Sequence, residues 1–375
     1  MESLGAFCER TRGATLATLA VLVLAACGGS DDNSNGGYGG GPTMGGGMDY
    51  AMRVVVSDAA GGAYGGTYTD SHLVNGWGVA FNPQGFVWVS DAGTSTSTLY
   101  DGNGVPQSLV VSIPDGASGE AEPTGIVFSG GSDFVVTQGA ASGPSRFIFA
   151  GEGGTISAWS PTVNATNAIT VIDGGASGSA FTGLALAAGR LFAANFGGGT
   201  VDVFDGSFAP LAVSGGFVDA TVPAGYAPFG IQAVGGEIVV TYAMKNAQTG
   251  DEVTGAGLGL VDVFDTDGKL LRRLVSPGGV LNAPWGVARA PADFGRFSNA
   301  LLVGNFGDGR LHAFDLSSGA LLGTLSTSAG TPLSIDGLWG IAFGNGLNNQ
   351  PTNTLFFAAG PGDETHGAYG RIDVN

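Results

Sequence analysis

Three oxygen-bearing side chains stand close behind short apolar runs and could do chemistry together. Asp91, Asn195 and Asn305 each end such a run. Carboxylate and amide oxygens are ligands that Ca²⁺ prefers in proteins. If the three met on one axis, they would hold a calcium ion that could assist hydrolysis. The same asparagines could instead cap Gly-rich turns, which is an interpretation without chemistry.

Four large aromatic residues occupy equivalent positions beside glycines. They are Trp77, Phe229, Trp285 and Trp339. Aromatic faces next to amide groups suit sugars, peptides or small amphipathic molecules. If these residues and the three oxygen ligands face one opening, they form a candidate ligand-binding site. The alternative is that the aromatic rings wedge between packed sheets and serve only the core.

Other catalytic groups are sparse. The three histidines are His72, His312 and His366, and no Gly-x-Ser-x-Gly motif occurs. His312 lies in an alternating strand and is expected to be a packing or surface residue, while the other two lie in loops. No inner strand opens with Glu or Asp at the position where an axial metal would need it. The sequence therefore favours a non-catalytic role, and no cofactor is predicted beyond Ca²⁺ under the hydrolase alternative.

Internal repetition indicates the elements that would position these residues. Val201–Phe204 recurs verbatim as Val261–Phe264, and Trp77-Gly78-Val79-Ala80 returns as Trp285-Gly286-Val287-Ala288. Each unit opens with a glycine, and these glycines lie 47 to 58 residues apart: Gly78, Gly125, Gly183, Gly230, Gly286 and Gly340. That spacing suits four short strands, which is the size of one propeller blade.

The six units predict an all-β fold, a six-bladed β-propeller spanning residues 50–375. The last unit runs out one strand short near Ile372, and a spare strand, Met52 to Val56, precedes the first unit. Pairing of these chain ends would close the ring and leave no sheet edge bare. The pattern resembles NHL-type six-bladed propellers. From Leu73 onward it is similar to a family of uncharacterised exported bacterial proteins, through segments such as Gly76–Pro83 and Asp336–Gly340. This resemblance implies the fold and brings no activity with it.

The N-terminus predicts export. Arg10 and Arg12 precede an apolar stretch that is too short to span a bilayer and ends in Leu24-Ala25-Ala26-Cys27. This motif resembles the lipobox of bacterial lipoproteins, which implies cleavage after residue 26 and acylation of Cys27. The alternative is an ordinary signal peptide cut near Ala26. Residue 28 is not Asp, which by resemblance to Gram-negative sorting favours the outer membrane, facing the periplasm or the cell surface.

Composition completes the expectation. Residues 27–49 are Gly-rich and predict a flexible tether. The net charge of −18 argues against nucleic acid as a partner. With Cys8 and Cys27 as the only cysteines, the propeller has no disulfide. The sequence thus predicts a lipid-anchored envelope module that binds a glycan, a peptide or a protein. A calcium-dependent, lactonase-like hydrolase is the alternative.

Overall fold

The computed structural model describes residues 49–61 and 64–375. The predicted signal peptide, Cys27 and nearly all of the tether lie outside this part of the chain, so those expectations stay predictions. Among the described residues, no helix is long and apolar enough to cross a membrane.

The chain starts with two strands that belong to its last sheet, β1 (Tyr50–Ser57) and β2 (Tyr68–Thr69). Six sheets then follow in order, and we call them blades 1 to 6, with strands given from the axis outward. Blade 1 contains β3 (Gly76–Phe81), β4 (Val87–Asp91), β5 (Thr96–Tyr100) and β6 (Val111–Ser112). Blade 2 contains β7 (Pro123–Phe128), β10 (Phe147–Gly151), β11 (Thr155–Trp159) and β12 (Ile169–Asp173), with an inserted hairpin of β8 (Val135–Gln138) and β9 (Ala141–Pro144).

The remaining blades repeat this arrangement with one exception. Blade 3 contains only β13 (Phe181–Ala187), β14 (Arg190–Asn195) and β15 (Thr200–Phe204). Blade 4 contains β16 (Tyr226–Val234), β17 (Glu237–Lys245), β19 (Leu260–Phe264) and β20 (Leu270–Val275), with β18 (Glu252–Val253) beside β17. Blade 5 contains β21 (Pro284–Arg289), β22 (Leu301–Asn305), β23 (Leu311–Phe314) and β24 (Leu321–Thr324). Blade 6 contains β25 (Leu338–Phe343), β26 (Leu355–Ala359), β27 (Ala368–Val374), β1 and β2.

Helical structure in the described residues is limited to three single 3₁₀ turns. They are Ala92–Thr94, Gly175–Ser177 and Gly295–Phe297. An apolar cluster lies between each pair of neighbouring blades, so the core is distributed around the ring. This is the all-β, six-bladed propeller that the repeats predict.

Glycines let the inner strands approach one another around the axis. A Cβ at Gly230 would stand 2.1 Å from the carbonyl oxygen of Trp285 in the next blade. At Gly340, in the last blade, a Cβ would stand 2.3 Å from the carbonyl oxygen of Trp77 in the first. Such distances leave no room for a side chain at these two positions, which explains why glycine opens these repeats. The contact from Gly340 to Trp77 also demonstrates that the ring is closed.

The N-terminal strand completes the last blade, as predicted. β1 pairs antiparallel with β27 from Tyr50 opposite Val374 to Ser57 opposite Ala368. The Tyr50 hydroxyl donates to the Phe294 carbonyl at 3.0 Å, which ties the strand to blade 5 as well. Burial raises the pKa of Tyr50 to about 12. The chain ends are therefore joined by a full ladder and by a buried phenol.

Candidate functional site

All seven predicted site residues lie at one end of the wheel, which we call the mouth end. Inner strands begin there and second strands end there: Gly76 pairs with Asp91, Phe181 with Asn195, and Pro284 with Asn305. The loops at this end connect second to third strands and outer strands to the next blade. The seven residues therefore share one end of the wheel.

The aromatic side chains at the mouth end form a buried cluster that crosses the axis. The axial aromatic cluster consists of Trp77, Phe196, Phe229, Trp285, Phe306 and Trp339. Trp77 stacks on Trp339 at 3.5 Å between ring centroids and meets Trp285 edge-on at 5.6 Å. It also reaches Phe229 of the opposite blade at 6.4 Å. Trp77 and Trp339 are at most 1% exposed. The expectation of an open aromatic rim is wrong, because the rings satisfy one another across the axis.

Hydrogen bonds fix two of the three indoles. Trp285 donates from Nε1 to the Thr182 carbonyl at 3.0 Å, and Trp339 donates from Nε1 to Asn75 Oδ1 at 3.1 Å. Asn75 in turn donates from Nδ2 to Glu364 at 3.1 Å, which links the cluster to the surface. Trp77 Nε1 is buried and has no partner within the described part of the chain. The cluster is thus a rigid floor beneath the mouth-end loops.

Asp91 is fully buried in blade 1. Its carboxylate accepts from the hydroxyls of Thr96 and Thr98, both at 3.3 Å. Burial raises the pKa of Asp91 well above its usual range, and the nearby Asp70 carboxylate adds to the effect. Burial therefore disfavours the charged form of this carboxyl, which is the form that Ca²⁺ binds.

The two asparagines cap their own loops. Asn195 Oδ1 accepts from the backbone N–H of Ala180 at 3.1 Å and of Gly198 at 2.8 Å. Asn305 Nδ2 donates to the Val280 carbonyl at 2.9 Å and to Asp308 at 3.1 Å. These contacts stay within each repeat and the loop before it, so both side chains serve local structure.

Asp91, Asn195 and Asn305 therefore do not form the metal site expected under the hydrolase alternative. They stand on blades 1, 3 and 5, and the axial aromatic cluster fills the axis where they would have to meet. Within residues 49–61 and 64–375, no three His, Cys, Asp or Glu side chains are grouped as a metal ion would require.

One acidic residue at the entry of an inner strand escaped the sequence interpretation. Glu122 directly precedes β7 with a left-handed φ of 44°, and its carbonyl accepts from the Glu152 N–H at 3.1 Å. The inner strand of blade 2 itself begins at Pro123, so Glu122 stands one residue outside it. The alignment of Glu122-Pro123-Thr124-Gly125 with Ala283-Pro284-Trp285-Gly286 was the available signal.

Two histidines in mouth-end loops are paired with carboxylates. His72 Nδ1 lies 2.9 Å from Asp70, and His366 Nδ1 lies 2.8 Å from Asp58. The Asn75 N–H donates to the His366 carbonyl at 2.9 Å, so the two pairs share one corner of blades 6 and 1. His312 is buried in β23 as expected, and burial lowers its pKa. The pair of Asp70 and His72 is local, whereas Asp58 and His366 lie far apart in the sequence, and spacing gave no sign of their contact.

The two ends of the propeller differ in charge. In the described mouth-end loops the acidic residues are Asp58, Asp70, Asp115, Glu120, Glu122, Glu152, Asp251, Glu252, Asp308, Asp336, Asp363 and Glu364. The basic residues there are Lys245, at the end of β17, and Arg310. At the opposite end, Asp49, Asp101, Asp133, Asp205, Glu237, Asp265, Asp267, Asp293 and Asp315 are accompanied by Arg146, Arg190, Lys269, Arg289 and Arg296. The larger acidic excess therefore lies at the mouth end.

The lysine at the mouth end is itself held by the chain. Lys245 Nζ donates to the carbonyls of Phe196 at 3.1 Å and Gly197 at 2.7 Å, and it lies 5.6 Å from the centroid of the Phe196 ring. An ammonium group is thus bound by backbone carbonyls and an aromatic face at the edge of the axial aromatic cluster. This contact is an internal example of cation recognition at the mouth end.

The axis beyond the aromatic cluster is narrow. A cavity of about 30 Å³ is lined by Gly78, Gly125, Gly183, Gly286 and Gly340 together with neighbouring inner-strand residues. A space of this size holds water and excludes an organic ligand. Ligand binding at the mouth end must therefore use the loops above the cluster.

Comparisons with known proteins give relatives without an assigned activity. The chain is 33% identical to uncharacterized protein R648 of Acanthamoeba polyphaga mimivirus over 313 residues, covering 81% of this chain and 76% of that protein. It is 32% identical to uncharacterized protein L690 of the same virus over 313 residues, covering 81% of each. No family model matches the chain.

Among solved structures, virginiamycin B lyase from Staphylococcus aureus is 12% identical with a TM-score of 0.48, covering 87% of this chain and 100% of that one. A streptogramin B lyase is also 12% identical with a TM-score of 0.49, covering 88% of this chain and 99% of the other. Membership in an exported bacterial family stays a prediction. The identity with the viral proteins and the length that they share show that this chain belongs to the same family as R648 and L690.

Proposed function

We propose that this protein is a non-catalytic binding module that takes up cationic ligands at the mouth end of its propeller. The observation that carries the proposal is the acidic excess of the mouth-end loops above a floor of aromatic rings. A surface of one sign attracts ligands of the opposite sign. A polyamine or a peptide rich in Lys and Arg carries the complementary charge.

The partners of the candidate residues support binding over catalysis. Asp91 and Asn195 are occupied by hydrogen bonds inside their own blades. The Asp70 and Asp58 carboxylates are bonded to His72 and His366. Neither imidazole has a Ser, Thr or Cys hydroxyl or thiol bonded to it among the described residues, as a nucleophilic pair would require. These contacts leave the mouth-end loops with an acidic surface to which a ligand can bind.

The proposal includes a lipid anchor on Cys27 that tethers the propeller to the cell envelope. Its basis is the Leu24-Ala25-Ala26-Cys27 motif and the Gly-rich residues that follow. Acyl chains on one residue give stable membrane attachment. Expression in a Gram-negative host should yield a membrane-bound protein that incorporates labelled palmitate. Cys27→Ser should release it, and a Cys27→Ser protein that stays in the membrane fraction would contradict the anchor.

Binding at the mouth end is tested by calorimetry with spermine. Glu120 and Asp363 are exposed in mouth-end loops of blades 2 and 6. The double variant Glu120→Gln/Asp363→Asn should weaken spermine binding roughly 3- to 10-fold, because each exposed charge contributes a modest attraction. The matched control is Asp133→Asn/Asp293→Asn, which removes two exposed charges at the opposite end. It should change binding less than about 2-fold.

Two results would overturn the proposal. Equal losses of spermine affinity in both double variants would mean that binding depends on the net charge of the protein and not on the mouth end. Turnover of a lactone or an ester that a calcium chelator abolishes would favour the hydrolase alternative.

A further inference from the structure

Blade 3 lacks the outer strand that every other blade has. Its order ends at β15, whereas the other five sheets contain at least four strands. The outer strand starts and then leaves the sheet. The Asp205 N–H donates to the Ala209 carbonyl at 2.9 Å and the Leu211 N–H donates to the Val203 carbonyl at 2.8 Å, but no further ladder follows in the described chain. The edge of β15 near Val201 is left open.

A groove takes the place of the missing strand. Its volume is about 640 Å³, and its lining includes Ile172, Phe181, Val201, Asp202, Pro210 and Val213. The N–H and C=O groups of alternate strand residues point to the same edge. Because the Val203 carbonyl points away from β14, the backbone groups of Val201 do so as well. Within the described residues, no backbone partner is found opposite Val201 on this edge.

The same four-residue sequence in blade 4 demonstrates what fits such an edge. Val261–Phe264 repeats Val201–Phe204, and there β20 supplies the outer strand. In that ladder Val275 stands opposite Val261, and Arg273 stands opposite Asp262. The Arg273 guanidinium binds the Asp262 carboxylate. A strand that pairs with this sequence therefore carries an arginine opposite the aspartate and, two residues later, an apolar residue opposite the first valine.

Asp202 has no such partner. It accepts from Asn195 Nδ2 at 2.9 Å and from the Thr200 hydroxyl at 2.8 Å, and it is half-buried. Among the described residues no Lys, Arg or His forms an ion pair with it. A negative charge thus stands beside an unpaired strand edge and an apolar groove.

We propose that the open edge of β15 accepts an extended segment of a partner protein, with an Arg or Lys opposite Asp202 and an apolar residue opposite Val201. The segment runs antiparallel to β15, as β20 does to β19. Open strand edges accept added strands through main-chain hydrogen bonds, and alternate side chains set the specificity. The proposal concerns the outer rim of blade 3 and does not depend on the mouth end.

The test uses a fluorescein-labelled peptide with the sequence of residues 271–276, Leu-Arg-Arg-Leu-Val-Ser. Fluorescence polarisation should detect its binding to the full chain. Asp202→Asn should weaken binding roughly 3- to 10-fold, and so should a peptide with Gln at the position of Arg273. Because both changes remove the same contact, the two together should cost no more than either alone. Asp293→Asn, which removes an exposed charge elsewhere, should leave binding unchanged.

Hydrogen exchange separates strand pairing from charge attraction. Saturating peptide should slow exchange of the Val201 amide, because that N–H would enter a ladder. Failure of the wild-type protein to bind the peptide at millimolar concentration would overturn the proposal. So would equal binding by Asp202→Asn. Binding that is lost in Glu120→Gln/Asp363→Asn and retained in Asp202→Asn would assign the peptide to the mouth end instead.

Discussion

Blades 3 and 4 carry the same third strand and give it different surroundings. In blade 4 the strand is covered by β20, and Asp262 is fully buried. In blade 3 the identical sequence forms a sheet edge, and Asp202 is half-buried. The difference arises after the strand. In blade 4 the chain continues as β20 (Leu270–Val275), whereas the equivalent segment of blade 3 begins with Pro210, which has no N–H to donate, and reaches Gly215-Gly216.

The chain that leaves blade 3 becomes part of blade 4. The Phe217 N–H donates to the Gly268 carbonyl at 2.9 Å, and the Phe217 ring lies 5.5 Å from Phe192 and 5.1 Å from Phe264. The next turn supplies Asp219, which binds Arg273 together with Asp262. One segment therefore opens the edge of blade 3 and reinforces the core of blade 4. Identical strand sequences can have unequal roles because their neighbours differ.

The largest effect should come from Arg273, the cation that binds Asp262 in blade 4. Among the described residues, Asp202 of blade 3 has no equivalent cation. Arg273→Met leaves the carboxylates of Asp262 and Asp219 without their shared cation, and only Asp219 keeps hydrogen bonds, from Thr221, so the loss should be about 3–5 kcal/mol of unfolding free energy at pH 7. Chemical denaturation measures the loss. Arg190→Met is the control, because Arg190 makes partly exposed contacts with Asp267 at 2.8 Å and should cost less than about 1 kcal/mol. Similar losses in the two variants would remove the energetic distinction between the blades.

The next largest effect should come from Phe217, which lies in the segment that leaves blade 3 and packs against blade 4. Phe217→Ala removes a ring that is 6% exposed and packed between blades 3 and 4, so we expect a loss of about 3 kcal/mol. Its neighbour Val218 is 67% exposed, and Val218→Ala should change stability by less than about 0.5 kcal/mol. Denaturation curves of the two variants give the comparison. A small loss for Phe217→Ala would mean that the diverted segment does not stabilise blade 4.

The sequence predicted the closed, six-bladed ring, but it did not predict how many strands blade 3 contains. The glycines recur at one place in each unit because each meets the backbone of the next inner strand, as at Gly340. The spare N-terminal strand was recognisable because the last unit was short. The missing strand of blade 3 was not predicted, since Leu211 and Val213 alternate as a strand would and the effect of Pro210 depends on where Phe217 finds its pocket.

Nothing in the sequence indicated how deeply the candidate site residues are buried. Trp77 and Trp339 lie at the mouth end, but their burial depends on six inner strands bringing rings from different blades together. No pattern in the local sequence indicates how close rings from different blades lie to one another. Likewise, the contact of Asp58 with His366 joins residues far apart in the chain, and only closure of the ring brings them within 2.8 Å.

A pH dependence should belong to Asp262 in blade 4. Two carboxylates share one guanidinium there, and burial raises the pKa of Asp262 to about 6. The unfolded value is about 3.9, so the folded state binds the proton more tightly between these values and stability falls as pH rises from 4 to 6. The unfolding free energy of wild type relative to Asp262→Asn should therefore fall by roughly 2 kcal/mol between pH 4 and 7.

Denaturation at a series of pH values measures this difference. A difference that rises with pH would mean that attraction to Arg273 outweighs the burial of the carboxylate, and parallel curves would mean that Asp262 does not titrate in this range. Either result would contradict the raised pKa.

The smallest effect should come from the equivalent aspartate of blade 3. Asp202→Asn keeps the shape of the side chain and replaces charge-assisted contacts with Asn195 and Thr200 by neutral ones, so we expect a loss below about 1 kcal/mol. Because β15 has no outer strand, no buried cation is left without a partner when the charge is removed. Denaturation at pH 7 should place this variant near wild type and well above Arg273→Met. A loss as large as that of Arg273→Met would mean that Asp202 stabilises the fold as strongly as the buried ion pair of blade 4. The edge of β15 would then be occupied by contacts within the protein, as β19 is.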